Sequence, residues 1–253
     1  MNDLFSLKGK TALITGGNKG LGLAMARGFA AHGASIVITG RNEEELSQAK
    51  DKIQAETGAH VTHYVVDLGD RAQVAELIEK VNRELDRVDI LVNNAGSNKP
   101  QLVTDIEDEV YDQIMEVSVR AQMALARGFA PRMIENKWGR ILNISSIMAE
   151  APLPGRTAYA ASRAAIQGQT KAWARDLGPH GITVNCIVPG PFKTELPMRV
   201  LTDEQKQGFT DHTILGRWGE PEEVAGPALM LVSDAGSNVT GECLHVDGGY
   251  RAM

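Results

Sequence analysis

A glycine-rich turn between an apolar segment and a helical segment constrains the fold more than any other feature of this 253-residue chain. Residues 11–15 are typical of a β-strand, residues 21–31 are typical of a helix, and the segment Thr15-Gly16-Gly17-Asn18-Lys19-Gly20-Leu21-Gly22 joins them. Glycines allow positive φ angles and close approach of backbone N–H groups to a ligand. The free N–H groups and the dipole of a following helix favour an anion such as a pyrophosphate. Because the turn links the first strand to the first helix, we predict a dinucleotide-binding turn.

Short β-rich apolar runs alternate with helical patterns along the rest of the chain. Strands are predicted at 11–15, 35–39, 61–66, 89–92, 140–144, 182–188 and 242–246, and helices at 21–31, 42–57, 70–85, 106–136, 157–177 and 221–233. Such alternation favours a parallel sheet that is covered by helices, and right-handed crossovers make it doubly wound. We predict an α/β fold in one domain over residues 1–253, with a seven-stranded parallel sheet and helices on both faces.

Composition and charge exclude several other classes of protein. Hydrophobic residues make up 43% of the chain, charged residues make up 23%, and the formal net charge is −6. A negative chain without a concentrated basic surface argues against binding to nucleic acid or to a membrane surface. The two cysteines and six histidines form no cluster with metal-ligand spacing, so we predict no metal site. The N-terminal segment lacks the apolar core of a signal peptide and no membrane span is evident, so we expect a cytoplasmic protein.

Six further motifs follow the glycine turn in order along the chain. They are Asp67, Asn93-Asn94-Ala95-Gly96, Ser145-Ser146, Tyr159, Pro189-Gly190 and Asp247-Gly248-Gly249. Together with the TGxxxGxG spacing of the turn, this pattern resembles the short-chain dehydrogenase/reductase family over essentially the whole chain. The resemblance implies a Rossmann fold, a nicotinamide cofactor bound at the carboxyl ends of the strands and oxidoreductase activity.

Two cations point to the phosphorylated form of the cofactor. NAD-binding relatives usually carry an acidic residue at the end of the second strand, whereas this chain has Gly40 followed by Arg41. Arg41 can hold a 2′-phosphate by charge-assisted hydrogen bonds, and Lys19 is a second cation nearby. We predict that NADP(H) is preferred and that NAD(H) is possible; the alternative is that both cations are merely solvated. The resemblance implies cofactor contacts from Gly16, Asn18, Lys19, Gly20, Leu21, Gly22, Arg41, Asp67, Leu68, Asn94, Ala95, Gly96, Tyr159, Arg163, Pro189, Gly190, Phe192 and Thr194.

The resemblance also implies a catalytic site, and here the chain departs from the family pattern. In the family a tyrosine exchanges a proton with the substrate oxygen, and a serine 13 residues earlier hydrogen-bonds that oxygen. A lysine four residues after the tyrosine holds the nicotinamide ribose and lowers the tyrosine pKa, and an asparagine positions a linking water. Tyr159 and Ser146 match this pattern, but Arg163 stands at the lysine position and Ser118 at the asparagine position. Arginine keeps the positive charge but does not release a proton, so relay through it is in question.

Substrate and assembly are implied only in outline. The segment of about 191–218 matches the position of the family's substrate lid, and Lys99 and Arg156 would suit a carboxylate. The pattern is most similar to the sugar-acid and 3-oxoacyl reductase branches of the family. Relatives of this size commonly form homotetramers through the counterparts of helices 106–136 and 157–178 and of residues 242–250.

Three functional hypotheses follow from these residues. The leading one is an NADP(H)-dependent oxidoreductase that acts on a small alcohol or carbonyl compound. The second is a cofactor-binding regulatory or scaffold protein with weak or lost turnover, which Arg163 and Ser118 motivate. The third is non-redox chemistry at Tyr159, such as elimination or isomerisation.

Overall fold

A parallel sheet forms the centre of the structure, a computed structural model that describes residues 3–252. Its strands within those residues are β1 (Thr11–Thr15), β2 (Ser35–Gly40), β3 (Val61–Val65), β4 (Ile90–Asn93), β5 (Gly139–Ile144), β6 (Ile182–Pro189) and β7 (Cys243–Val246). The order across the sheet is β3-β2-β1-β4-β5-β6-β7, and every neighbouring pair is parallel. The predicted seven-stranded Rossmann-type α/β fold is therefore confirmed.

Helices connect the strands, most of them at the predicted places. They are α1 (Gly20–Ala31), α2 (Glu43–Thr57), α3 (Arg71–Glu84), α4 (Asp108–Met115), α5 (Ala121–Glu135), α6 (Thr157–Leu177), α7 (Glu195–Val200), α8 (Asp203–Asp211) and α9 (Ala225–Val232). The Asn42 side chain caps α2 by accepting from the Glu45 N–H, and Gly58 ends it at φ +70°. Asp70 caps α3 in the same way as Asn42 caps α2. Within residues 3–252, no helix is both long and apolar enough to cross a membrane.

The two faces of the sheet pack against different helices. On β1, Ala12 and Ile14 contact the apolar core that contains α1, α2 and α9. Leu13, between them, belongs to the core on the other face with α3, α5 and α6. This alternation follows from the two-residue period of a strand, and it leaves the strands buried on both faces.

The predicted helix over 106–136 is wrong in its middle. A π turn, Glu116–Arg120, separates α4 from α5. A π turn holds one residue more than an α turn, and such turns are frequent at functional sites. Hydrophobic periodicity does not reveal it, because the helical path continues on both sides.

The segment 191–218 is less irregular than predicted, because it contains α7 and α8. Thr202 starts α8 with a capping box, in which its side chain accepts from the Gln205 N–H and the Gln205 side chain accepts from the Thr202 N–H. The last predicted helix, 221–233, begins as a 3-10 turn at Pro221–Val224 before it becomes α9.

Candidate active site

The predicted site residues lie after the carboxyl ends of the strands or on the helices that begin there. β1 lies between β2 and β4, so the strand order reverses beside it. Ligands of open α/β sheets bind at this kind of reversal, outside the carboxyl ends of the strands. The fold therefore brings the glycine turn after β1 next to the segments that follow β2 and β4.

The glycine turn leaves its backbone open for a ligand. Gly16 and Gly20 have φ angles of +64° and +54°, a region that side chains disfavour. A Cβ at Gly22 would overlap the carbonyl oxygen of Gly16. Gly22 lies in the first turn of α1, where free N–H groups favour an anion. These residues fit a dinucleotide pyrophosphate.

Asn94 and Thr15 brace this turn from below. The Asn94 side-chain amide donates to the carbonyl oxygen of Thr15 at 2.8 Å and to that of Gly16 at 3.3 Å. Thr15 Oγ1 accepts from the backbone N–H groups of Asn94 and Ala95, both at 3.0 Å. The side chain of Asn94 is thus occupied by the turn, and it shapes the cofactor cleft by holding the turn in place.

The predicted 2′-phosphate end contains an acidic residue that sequence reasoning missed. Glu45 forms an ion pair with Lys19 at 3.1 Å and accepts from Asn18 Nδ2 at 2.6 Å. Arg41 is exposed and lies between β2 and α2. The sequence signal that could have indicated Glu45 was the acidic first turn of α2, the helix that follows β2.

Other predicted cofactor residues lie in the segments at or after the ends of β3 and β6. The methyl carbon of Thr194 lies 3.3 Å from the position of a Cβ at Gly20, so the segment after β6 reaches the glycine turn. Phe192 is buried against Gly219, and Gly190 packs against Asp247. Three more members of the set also lie at strand ends. Pro189 is the last residue of β6, and Asp67 and Leu68 follow β3.

Tyr159 and Arg163 form a stacked pair on α6. The guanidinium carbon of Arg163 lies 4.6 Å from the centre of the Tyr159 ring. Arg163 is only 5% exposed, and its Nη1 donates to the Ile144 carbonyl oxygen at 2.9 Å. Ser145 Oγ donates to the Arg163 carbonyl oxygen at 2.8 Å and fixes this part of α6 to the end of β5. A cation over an aromatic face is attracted by the ring quadrupole.

Gly96 completes the surroundings of this guanidinium. A Cβ at Gly96 would overlap Arg163 Nη2, so the glycine gives the larger side chain its space. The Nε of Arg163 is buried without a hydrogen-bond partner. Within residues 3–252 no carboxylate forms an ion pair with Arg163. A buried charge normally has a counter-charge or hydrogen-bond partners, and here the Ile144 carbonyl oxygen supplies one such partner.

The two predicted serines occupy different environments. Ser146 is half-buried after β5, and its Oγ accepts from the Met148 N–H at 3.2 Å. Its hydroxyl proton remains available for donation to a substrate oxygen. Ser118 is fully buried in the π turn, where its Oγ lies 3.5 Å from the Ser97 nitrogen. The structure thus uses the Ser118 side chain to hold the segment after Gly96.

Glu150, which the sequence did not single out, anchors the loop after Ser146. Its carboxylate accepts from Gln167 Nε2 at 3.2 Å, from His245 Nε2 at 3.1 Å and from Arg251 Nε at 2.9 Å. Burial raises the pKa of Glu150, but these hydrogen bonds and the positive charges bring it below its usual value overall. The loop is therefore tied to α6, to β7 and to the C-terminal residues.

The two cations suggested for a substrate carboxylate have separate positions. Lys99 is exposed and paired with Glu107 at 3.2 Å. Arg156 is half-buried at the start of α6 and pairs by its backbone with Gln101. Among residues 3–252 there is no group of three or more histidine, cysteine or acidic side chains placed to hold a metal ion.

Comparisons with known proteins agree with this geometry. A family model described as enoyl-(acyl carrier protein) reductase matches residues 16–251. Gluconate 5-dehydrogenase of Gluconobacter oxydans is 39% identical, over 98% of this chain and 96% of its own. A 3-oxoacyl-[acyl-carrier-protein] reductase of Thermotoga maritima is 36% identical, over 96% of this chain and 98% of its own.

A solved structure shows the same architecture with a ligand. It is a gluconate 5-dehydrogenase from Burkholderia cenocepacia in complex with NADP and tartrate. It superposes with a TM-score of 0.93 at 36% identity, covering 99% of this chain and 98% of its own. The fold, the order of the motifs and these similarities together establish that the chain belongs to the short-chain dehydrogenase/reductase family of NAD(P)-dependent oxidoreductases.

Proposed function

We propose that this chain is an NADP(H)-dependent oxidoreductase of a small hydroxylated substrate, in which Tyr159, Ser146 and Arg163 act on the substrate oxygen and its proton. The observation that carries the proposal is the pair of Tyr159 and Arg163, whose guanidinium lies against Gly96, just after the Asn94 that braces the glycine turn. Sugar acids and 3-oxoacyl compounds are the favoured substrate classes, because the similar proteins include a gluconate 5-dehydrogenase and a 3-oxoacyl reductase. The cofactor, when bound, supplies or accepts the hydride.

The residues of the chain have separate roles in the rest of the reaction. Ser146 keeps its proton and donates a hydrogen bond to the substrate oxygen, which it orients because its own Oγ is held by the Met148 N–H. Tyr159 donates a proton to that oxygen during reduction and accepts it during oxidation. The Arg163 guanidinium lies over the Tyr159 ring and holds that ring in place for the proton transfer.

The route of the proton to solvent differs from the family pattern in this proposal. Arg163 does not release a proton, and Ser118 is engaged with the segment after Gly96. We infer that Tyr159 exchanges its proton through water in the substrate cleft rather than along a chain through residues 118 and 163. Tyr159 is half-buried, which is compatible with such exchange.

Replacing Tyr159 with phenylalanine tests the proposal. We expect Y159F to lower kcat by about 10²- to 10⁴-fold, since it removes general acid–base catalysis but keeps the ring under Arg163. NADPH binding, measured by fluorescence titration, should change by no more than about threefold, because the ring that stacks on Arg163 is kept. Y111F is the matched control, because Tyr111 is exposed on α4. Wild-type turnover in Y159F would remove Tyr159 as the proton donor.

A second candidate function is cofactor binding without turnover, as in a regulatory or scaffold protein. The observation that favours it is the engagement of Arg163 by the Ile144 carbonyl and by Gly96. The variant R163K separates the two candidates on a panel of sugar acids, polyols and 3-oxoacyl thioesters. If the site is rebuilt around arginine, R163K should lose about tenfold or more in kcat/KM, because the planar guanidinium contacts are lost. An inactive wild type with a large gain in R163K would favour the second candidate.

Three further expectations stay predictions. They are the single domain over residues 1–253, the substrate lid over about 191–218 and the homotetramer. Residues 1, 2 and 253 lie outside the described residues.

A further inference from the structure

A single carboxylate holds both polar side chains at the outer end of the glycine turn. Glu45 Oε2 accepts from Asn18 Nδ2 at 2.6 Å and lies 3.1 Å from Lys19 Nζ, and its Oε1 lies 3.4 Å from the same Nζ. The Lys19 and Glu45 side chains are 58% and 43% exposed, so the pair lies at the protein surface. The cation expected to attract a 2′-phosphate is therefore already neutralised.

The neighbouring acidic residues do not share this role. The first turn of α2 also contains Glu43 and Glu44. Glu43 contacts His63 at 2.8 Å, and Glu44 accepts from Gln48 Nε2 at 3.3 Å. The Glu44 contact runs along α2 and the Glu43 contact runs to β3, whereas the Glu45 carboxylate reaches back to the glycine turn.

We propose that Glu45 is a cofactor-specificity-determining residue that weakens the preference of this chain for NADP(H) over NAD(H). A phosphate monoester carries a charge of about −1.5 to −2 at neutral pH, so a carboxylate beside it is repulsive. NADP(H) must also break the Lys19–Glu45 pair to use the lysine. NAD(H) carries a hydroxyl group at that position and meets neither cost. The inference rests on the proposed function only for the location of the adenosine ribose.

The variant E45Q removes the charge and keeps the shape of the side chain. We expect it to tighten NADPH binding about tenfold at low ionic strength, because it frees Lys19 and removes the repulsion. NADH affinity should stay within about twofold, because the uncharged ribose hydroxyl is not repelled. The gain for NADPH should shrink as salt is raised, since exposed charges are screened.

The experiment measures binding of NADPH, NADH, 2′,5′-ADP and 5′-ADP to the full chain by titration calorimetry. The pair 2′,5′-ADP and 5′-ADP reports the 2′-phosphate without the nicotinamide half. E44Q is the matched control, because it changes the net charge equally in the same helical turn without touching Lys19. The variants K19M and K19M/E45Q complete a double-mutant cycle. We expect the gain in NADPH affinity caused by E45Q to be at least threefold smaller when Lys19 is absent.

The outcomes separate this inference from the proposed function. Tighter binding of NADPH and 2′,5′-ADP in E45Q alone supports the role of Glu45. Equal gains in E44Q and E45Q, or no gain in E45Q, overturn that role and leave the cofactor assignment intact. If the wild type binds none of the four probes, both proposals fail.

Discussion

At the scale of single residues, the site is organised around the arginine that replaces a lysine. The Arg163 side chain is longer and planar, and three features accommodate it: the Tyr159 ring, the Ile144 carbonyl and the missing Cβ of Gly96. The sequence predicted that these residues lie near one another, because motifs at strand ends converge. It could not predict the stack or the unpartnered Nε, because both depend on rotamers that only the packed structure fixes.

The contact between Gly96 and Arg163 makes a residue-scale prediction. In G96A the new methyl group overlaps Nη2 of Arg163, and overpacking of this kind costs about 1–3 kcal/mol. We therefore expect the guanidinium to shift and kcat/KM to fall at least about tenfold. G168A is the control, since nothing lies within 4 Å of a Cβ there. Steady-state kinetics measures the effect. In a double-mutant cycle, the loss caused by G96A should be smaller in the R163K background than in the wild type, because lysine lacks Nη2. An equal loss in both backgrounds would assign the defect to the backbone at residue 96.

At the scale of helices and strands, local signals predicted most elements and missed those set by tertiary contacts. The helices predicted at 42–57 and 70–85 lie close to their predicted bounds, because the caps Asn42 and Asp70 and the left-handed Gly58 act locally. The π turn at Glu116–Arg120 was missed, because the hydrophobic periodicity continues on both sides of it. The pairing of Glu45 with Lys19 was missed because 26 residues separate the partners.

A hydrogen bond between β3 and α3 makes an element-scale prediction. Tyr64 on β3 donates to Glu84 at the end of α3 at 2.9 Å, and burial together with this carboxylate raises the pKa of Tyr64 to about 12. Between about pH 10 and 12 the unfolded chain releases this proton and the folded chain keeps it, so stability falls as pH rises.

Urea unfolding at pH 9 and at pH 10.5 measures this effect. We expect the wild type to lose about 1 kcal/mol more than Y64F over that interval. Y111F, which changes an exposed tyrosine, should behave like the wild type. Equal losses in Y64F and the wild type would contradict the prediction.

At the scale of the whole molecule, the sheet order decides where chemistry can occur. The alternation of strands and helices was sufficient to predict the doubly wound sheet, because strand period, parallel pairing and crossover handedness leave few arrangements. The same logic predicted that the motifs gather outside the carboxyl ends of the strands. The pairing of Glu45 with Lys19 could not be predicted in this way, because it depends on which side chains of α2 reach the glycine turn.

The one-sided location of the site also has a practical consequence for handling the protein. The amino ends of the central strands lie about 16 Å from the carboxyl ends, given five residues at roughly 3.3 Å each. Surface attachment through the turn at Gly58 to His60, which precedes β3 at that opposite edge, would leave the cofactor cleft facing the solution. Immobilised in this way, the molecules would share one orientation, with the glycine turn pointing away from the support.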